Sequence, residues 1–231
     1  MADVAQLAAS GAPEGTVVVA EEQTAGRGRV GRHWESPAHA GLWLTILLRP
    51  CLDPQALGWL PLLTGTAVAR ALRSESGCDV LLKWPNDLVV DVPDGLGKVG
   101  GILAERLADG AVLVGVGINV TQTAAELPPG GTSLRLLGAA IPRERLLVSV
   151  LGEFASTYRQ WIDGADPAPD YLDLCVTVGS DVRVEASGVG TAIEGLASGV
   201  GPHGELLVTD RSGVGHVVSA GDVLLVRPAI S

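Results

Sequence analysis

The chain has 231 residues, 47% hydrophobic and 18% charged, a composition typical of a folded protein with a packed core. The formal net charge of −10 argues against general binding to nucleic acid or to an anionic membrane. The three cysteines form no metal-binding spacing with the four histidines, which is typical of reduced thiols in a cytoplasmic protein. The sequence shows neither a signal-peptide pattern nor an apolar run of the roughly 20 residues that cross a bilayer.

Helical and strand patterns alternate through the first two thirds of the chain. Apolar spacing predicts helices over residues 2–10, from Leu60 to a stop at Gly77, and from Ile141-Pro142 to Trp161. Apolar or β-branched runs predict strands at 16–20, 41–48, 79–84, 88–90, 98–103 and 111–120. The first domain therefore contains both helices and strands.

The pattern changes after residues 164–169, which carry two prolines and an aspartate and read as a linker. Short strands separated by glycine-rich turns follow, at 181–186, 191–197, 205–209 and 216–227. Such regular spacing is typical of a small all-β barrel. We therefore predict two domains, residues 1–165 and residues 176–231.

Three arginines alternate with three glycines between Gly26 and Arg32. Glycine lets backbone N–H groups approach a ligand closely, and arginine fits carboxylate and phosphate groups. The segment lacks the Gly-Lys-Ser/Thr ending of a phosphate-binding loop of the Walker type and does not match a dinucleotide fingerprint. Its regular glycines favour an anion site, and a solvated basic loop is the alternative.

Three further segments carry polar groups near predicted strands. Lys83-Trp-Pro-Asn-Asp87 follows a strand end, where α/β folds bind ligands, although Pro, Asn and Asp are also ordinary turn residues. Lys98 opens a strand that continues into two glycines, and it could either project into a cleft or protect a sheet edge. Asn119 ends an otherwise apolar strand, where a buried amide needs partners from the backbone or a ligand.

Together these segments resemble the motif series of the biotin–protein ligases: Gln-x-x-Gly-Arg-Gly-Arg-x-Gly-Arg at 23–32, Lys-Trp-Pro-Asn-Asp at 83–87, Lys-x-x-Gly-Ile-Leu at 98–103 and Gly-x-Gly-Ile-Asn at 115–119. The second of these is the most specific, because it distinguishes the family from lipoate ligases and octanoyl transferases of the same fold. The resemblance implies an α+β fold: a mixed β-sheet with flanking helices, similar to class II synthetases and the biotin/lipoate ligases, then an SH3-like barrel.

The resemblance also implies the activity. In this family the biotin carboxylate attacks the α-phosphate of ATP, with Mg²⁺, to give biotinyl-5′-AMP. A lysine of the biotin carboxyl carrier domain of an acyl-CoA carboxylase then attacks this anhydride. The carboxylate is already a nucleophile, so positioning and charge neutralisation suffice for the first step and no catalytic dyad is expected. The expected location is the cytoplasm, with no membrane partner.

Site roles follow by matching each position to the family motifs. Lys98 and Arg29 match the catalytic groups. Biotin contacts are expected from Gln23, Arg27, Gly28, Arg29 and Lys98. Contacts to ATP or the adenylate are expected from Arg32, Trp34, Lys83, Asn86, Asp87 and Asn119, and Asp87 is the expected carboxylate near the metal.

Two departures from the family accompany the resemblance. Many members carry an amino-terminal DNA-binding domain, for which these 231 residues leave no room, so we expect the form without it and no DNA partner. The family also has a strand and a Ser-Thr-Asn motif just before the helix that matches residues 2–10. Here Met1 stands where that motif ends, so we expect upstream residues to strengthen biotin binding.

Two alternative functions stay open at this point. One is an acyl ligase of the same fold that uses lipoate or octanoate. The other is a catalytically impaired biotin- or adenylate-binding protein, or an interaction module built on the terminal barrel.

Overall fold

A computed structural model describes residues 1–24, 26, 28, 37–186 and 192–226. Within these residues the fold is α+β, with two antiparallel sheets and four α-helices. No helix in the described part of the chain is both long enough and apolar enough to cross a membrane.

The first sheet has six strands in the order β1-β2-β6-β5-β4-β3. They are β1 (Val17–Ala20), β2 (Gly41–Leu48), β3 (Leu81–Lys83), β4 (Asp87–Val92), β5 (Gly95–Arg106) and β6 (Val112–Asn119). Every pairing between these strands is antiparallel, so the expectation of a mixed sheet is wrong. The physical reason is that β3, β4, β5 and β6 follow one another through short connections, which return each strand beside the last.

The helices are α1 (Ala2–Ala9), α2 (Trp59–Ser76), α3 (Arg143–Ile162) and α4 (Ala168–Leu172), with short 3₁₀ turns at Ala56–Gly58 and Ala124–Glu126. Gly77 ends α2 in the left-handed conformation with φ of 70°, which confirms the predicted stop. The sequence pattern did not predict α4, which starts inside the stretch interpreted as a linker.

The two faces of the first sheet have different neighbours. All eight residues of β2 are buried, which explains its almost unbroken apolar sequence. Even-numbered residues such as Leu44 and Ile46 belong to the main core with α2 and α3. Leu47, on the opposite face, packs with Val4 and Ala8 of α1. The face that carries α1 is the face on which the candidate site lies.

The second sheet has the order β10-β9-β8-β7-β11. Its strands are β7 (Asp181–Ala186), β8 (Ile193–Val200), β9 (Leu206–Asp210), β10 (Gly215–Val218) and β11 (Gly221–Leu225). The single strand predicted over 216–227 is wrong, because the chain turns at Ser219 and Ala220. On one side of that turn β10 pairs with β9, and on the other β11 pairs with β7 at the opposite edge of the sheet.

Candidate active site

A cavity of about 590 Å³ lies on the α1 face of the first sheet. Strands β2, β4, β5 and β6 form its floor, and β11 of the second sheet contributes one wall. The predicted site residues among its lining are Gln23, Gly28, Lys83, Asn86, Asp87 and Lys98. The fold therefore brings together residues from all four sequence motifs, since Gly115 and Gly117 of the fourth also line the cavity.

The Lys83–Asp87 motif is a tight connection between β3 and β4. Lys83 ends one strand, Asp87 begins the next, and the two residues are paired in register. The predicted strand end followed by a turn is confirmed. Asn86 is tied to β5, since its Nδ2 donates to the Ile102 carbonyl at 2.6 Å and its own carbonyl accepts from the Ile102 amide at 2.9 Å. These two hydrogen bonds fix the position of the motif relative to β5.

Lys98 reaches Asp87 because β5 contains a bulge. Asp87 pairs with Gly101 and Leu88 with Gly100, but Val89 pairs with Lys98, so Val99 is the extra residue. In a regular ladder Lys98 would pair with Val90 and point to the opposite face from Asp87. The bulge places Lys98 on the Asp87 side, which is how bulges next to functional sites redirect a side chain.

The two charged groups form an ion pair in the cavity wall. Lys98 Nζ donates to Asp87 Oδ1 at 2.5 Å, with about a third of the lysine side chain exposed (34%) and less of the aspartate (23%). Gly101 leaves room beside the pair, since a β-carbon there would lie 3.5 Å from Lys98 Nζ. The pair is therefore fixed in position and still borders the space where a ligand would lie.

The backbone around Lys98 is held by the loop at 130–132. The Lys98 amide donates to the Gly130 carbonyl, and the Lys98 carbonyl accepts from the Thr132 amide, each at 2.8 Å. Asn119 reinforces this loop, since its Nδ2 donates to the carbonyls of Thr132 at 3.0 Å and Lys98 at 3.4 Å. Its Oδ1 accepts from Gln122 at 3.3 Å.

Asn119 was expected to contact the nucleotide, but the structure does not bring it into the cavity. Only 4% of the residue is exposed, and it is absent from the cavity lining. The backbone partners that a buried amide requires are supplied by the protein itself. Its placement supports a role in holding Lys98.

The Gly/Arg segment borders the cavity through Gln23, Gly26 and Gly28. Arg27, Arg29, Arg32 and Trp34, to which sequence motifs assign biotin and nucleotide contacts, lie outside the described residues. Those roles stay predictions.

Glu21 and His39, which flank this segment in the sequence, are joined to each other. The His39 amide donates to the Glu21 carbonyl, and His39 Nδ1 lies 2.9 Å from Glu21 Oε2. Arg143 of α3 donates to the same carboxylate at 2.7 Å. The hydrogen bonds from Arg143 and then His39 lower the pKa of the Glu21 carboxyl below its usual value of 4.5. Glu21 is therefore anchored to α3.

Several lining residues were not found from the sequence. Trp43 and Thr45 line the cavity from β2. A polar threonine in an otherwise apolar strand could have indicated a residue that faces a ligand site. Asp222, Val223 and Leu224 of β11 also line it. No local pattern marks these three, because their position depends on how the second sheet packs against the first.

A metal site built wholly from protein side chains is not present in the described residues, where no three His, Cys, Asp or Glu side chains cluster suitably. Mg²⁺ bound through one or two carboxylates and substrate phosphates does not need such a cluster. Asp87 fits that simpler arrangement, because it places a carboxylate in the wall of the cavity.

Comparison with known proteins identifies the relatives of this chain. The model of the biotin/lipoate A/B protein ligase family matches residues 3–122. A biotin–[acetyl-CoA-carboxylase] ligase from Mycobacterium tuberculosis is 43% identical over 98% of this chain and 85% of its own length. The bifunctional ligase/repressor BirA of Bacillus spizizenii is 32% identical over 93% of this chain and 68% of its own length.

The fold has similar relatives among solved structures. The biotin protein ligase from Aquifex aeolicus, solved in complex with biotin and ATP, superposes with a TM-score of 0.81 and 29% identity. The match covers 97% of this chain and 94% of the other. By sequence and by fold, this chain belongs to the biotin/lipoate A/B protein ligase family.

Proposed function

We propose that this protein is an ATP-dependent biotin–protein ligase, which forms biotinyl-5′-AMP and transfers the biotinyl group to a lysine of a biotin carboxyl carrier domain. The observation that carries the proposal is the cavity shared by Gln23, Gly28, Asn86 and the Asp87–Lys98 pair. Its volume of about 590 Å³ is in the range that encloses a small-molecule ligand. The relative from M. tuberculosis, named as a biotin–[acetyl-CoA-carboxylase] ligase, supports biotin as the acid and acetyl-CoA carboxylase as the acceptor.

The first chemical step needs positioning and charge neutralisation. A biotin carboxylate oxygen bonds to the α-phosphorus of ATP, and the bond from that phosphorus to the bridging oxygen breaks as pyrophosphate leaves. Both reactants are anionic, so cationic side chains beside them would lower the barrier by stabilising the charge that develops. Lys98 and Arg29 are assigned this role, with Lys98 held in place by Asp87.

The second step transfers the acyl group. The carrier lysine attacks the acyl carbon of biotinyl-5′-AMP as a neutral amine, and AMP leaves with the electrons of the broken C–O bond. The ammonium group of that lysine must first release a proton. That proton passes to solvent, because the Asp87 carboxylate is already paired with Lys98.

The substrate contacts are assigned as follows. The biotin-binding set is Gln23, Arg27, Gly28, Arg29 and Lys98. The ATP- or adenylate-binding set is Arg32, Trp34, Lys83, Asn86 and Asp87, whereas Asn119 acts through the loop at 130–132. Asp87 would hold Mg²⁺ together with substrate phosphates, and the ion when bound would neutralise phosphate charge.

The division of the chain into two domains is also part of the proposal. Residues 1–165 would form the catalytic domain, and residues 176–231 an SH3-like barrel. The five-strand antiparallel order of the second sheet supports that assignment. A cytoplasmic location is proposed with it.

Biotin-dependent exchange of radiolabelled pyrophosphate into ATP tests the first step without a carrier protein. We expect exchange with the wild-type protein and its loss in Lys98→Ala. Arg183→Ala, which removes an exposed ion pair in the second sheet, is the control and should exchange normally. Exchange that requires lipoate or octanoate in place of biotin would contradict the assignment, and full activity of Lys98→Ala would remove the catalytic role of that lysine.

A further inference from the structure

The connection between β8 and β9, residues 201–205, lies against the first sheet beside the Lys83–Asp87 motif. Trp84 Nε1 donates to the Gly204 carbonyl at 3.0 Å, and Trp59 Nε1, at the start of α2, donates to the Pro202 carbonyl at 2.9 Å. Both indoles are almost fully buried, with 2% and 4% of their surface exposed. Trp84, between β3 and β4, and Trp59, in α2, therefore both hold one turn of the second sheet.

The backbones also meet directly at this contact. A β-carbon on Gly58 would lie 2.1 Å from the His203 carbonyl oxygen, and one on Gly204 would lie 2.8 Å from the Gly58 carbonyl oxygen. Gly204 also has φ of +85°, in the left-handed region that favours glycine. Only glycine at both positions permits this approach.

The turn is held by its own hydrogen bonds. The Gly204 amide donates to the Gly201 carbonyl at 3.0 Å, and the Gly201 amide donates to the Glu205 carbonyl at 2.8 Å. The His203 amide donates to the Glu205 side chain at 2.9 Å. The turn therefore moves as one unit, and a shift of the second sheet would shift Trp84, which it contacts.

The segment that leads into the second sheet holds the other side of the motif. The Trp84 amide donates to Thr177 Oγ1 at 2.9 Å, and Thr177 is fully buried. Leu82, two residues earlier, exchanges backbone hydrogen bonds with Leu174 and Val176, each at 2.9 Å. Residues 82–84 are thus bracketed between two parts of the carboxyl-terminal region.

Packing alone does not fix this contact. A cavity of about 240 Å³ lies between the turn and the motif, and its lining includes Pro85, Asn86, Gly204 and Ser219. Because the contact surface is incompletely filled, the directional hydrogen bonds from the two indoles determine where the turn lies.

We propose that the turn at 201–205 is a positioning element for the reaction, acting through Trp84. Because the turn holds Trp84, it fixes the position of the β3–β4 connection relative to the sheet. This connection carries Asn86 and the Asp87 carboxylate, and Asp87 orients Lys98. Gly204 does not line the larger cavity, so its effect is indirect. The proposal rests on the proposed function and gives the second sheet a specific part in it.

A matched pair of glycine variants tests the proposal. Gly204 and Gly213 both have φ of +85° and both lie in turns of the second sheet, but a β-carbon on Gly213 would meet no atom within 4 Å. Alanine therefore strains the backbone equally at both, and only Gly204→Ala pushes the turn away from Gly58. Trp84→Phe, which removes the indole donor, is a second route to the same displacement.

Two readouts separate positioning from general destabilisation. We expect kcat/KM for ATP in pyrophosphate exchange to fall about tenfold or more in Gly204→Ala and Trp84→Phe, because small displacements at a site have effects of this size. Gly213→Ala should keep the wild-type constants. Amide hydrogen exchange in the 82–88 peptide should accelerate in Gly204→Ala and not in Gly213→Ala, at a temperature where thermal unfolding shows both variants folded.

The proposal is overturned if folded Gly204→Ala keeps the wild-type kinetic constants, or if its 82–88 peptide exchanges as in Gly213→Ala. The hydrogen-exchange comparison does not depend on turnover. Absence of biotin-dependent pyrophosphate exchange in the wild-type protein would instead overturn the proposed function.

Discussion

Lys98 donates to Asp87 across a bulge that moves the lysine to the other face of its strand. If Val99 were instead paired with Val89 in a regular ladder, Lys98 would pair with Val90 and face the opposite side of the sheet from Asp87. The bulge at Val99 thus places both charged groups on the cavity side of the sheet. The two residues should behave as one unit in catalysis.

Removal of either member of this pair should lower activity, and removal of both should cost little more. Lys98→Ala is expected to reduce the rate of biotinyl-5′-AMP formation by about 10²–10³-fold, as for loss of one charge-stabilising donor. Asp87→Asn should lower it too, because the lysine loses its orienting partner. Pyrophosphate exchange on the two single variants and the double variant measures the coupling, and strictly additive losses in free energy of activation would show that the pair does not act as a unit.

The two asparagines of the chain should respond differently to alanine. Asn119→Ala leaves buried carbonyls and Gln122 without their partner and should lower the free energy of unfolding by about 1–3 kcal/mol. Asn86→Ala removes a cavity residue and should act mainly on the KM for ATP. Thermal unfolding and exchange kinetics on both variants separate the effects. A large rise in KM with unchanged stability in Asn119→Ala would restore its expected nucleotide contact.

Adjacent glycines of β5 provide a second contrast. A β-carbon on Gly100 would lie 2.6 Å from the Gly117 carbonyl oxygen, and backbone in a central strand cannot move away cheaply. Gly100→Ala should therefore cost about 1–3 kcal/mol of stability. On the cavity side of the strand, Gly101→Ala meets Lys98 Cε only at 3.4 Å, so it should fold normally.

The same Gly101→Ala variant should lose activity, because its methyl group occupies space beside Lys98. A fall of about tenfold in kcat/KM with little change in the unfolding midpoint is expected. Chemical denaturation of both glycine variants measures the stability part. Equal destabilisation by the two would show that the faces of β5 are assigned wrongly.

Stability should depend on pH through the turn that joins β9 to β10. Asp210 accepts hydrogen bonds from His216 at 2.7 Å and from the Ser212 hydroxyl at 2.6 Å. These contacts, His216 first, hold the pKa of the Asp210 carboxyl well below its usual value of 3.8. A carboxyl with a depressed folded-state pKa stabilises the fold above its unfolded-state pKa, and that contribution disappears as the pH falls.

Asp210→Asn should therefore lower the unfolding midpoint at pH 7, and the difference from wild type should shrink as the pH falls below 3.8. His216→Ala is the control for the partner and should show a smaller loss, because the bonds from Ser212 and Val214 persist. A midpoint difference that stays constant from pH 7 to pH 3 would rule out this linkage.

Strong local signals allowed part of the fold to be predicted from the sequence. The bounds of β2 agree with its apolar run, and Gly77 ends α2 as its position suggested. The Lys83–Asp87 motif lies at a strand end as expected, since proline cannot continue the strand.

Features that depend on pairing between distant segments were not predicted. The bulge at Val99 was not predicted, because its position depends on which residue of β4 faces Lys98. The run at 216–227 contains no strong break, and its division follows from pairing with two different strands. The hydrogen bonds of Asn119 to Thr132 and Lys98 were not predicted, because the loop that accepts them comes later in the chain.

The most direct test of the proposed function is the intact mass of a biotin carboxyl carrier domain after incubation with this protein, ATP and an equimolar mixture of biotin, lipoate and octanoate. We expect the carrier to gain one biotinyl group at its acceptor lysine, only when ATP is present, and Lys98→Ala to give little product. A carrier that keeps its mass, or that gains a lipoyl or octanoyl group in preference to biotin, would contradict it.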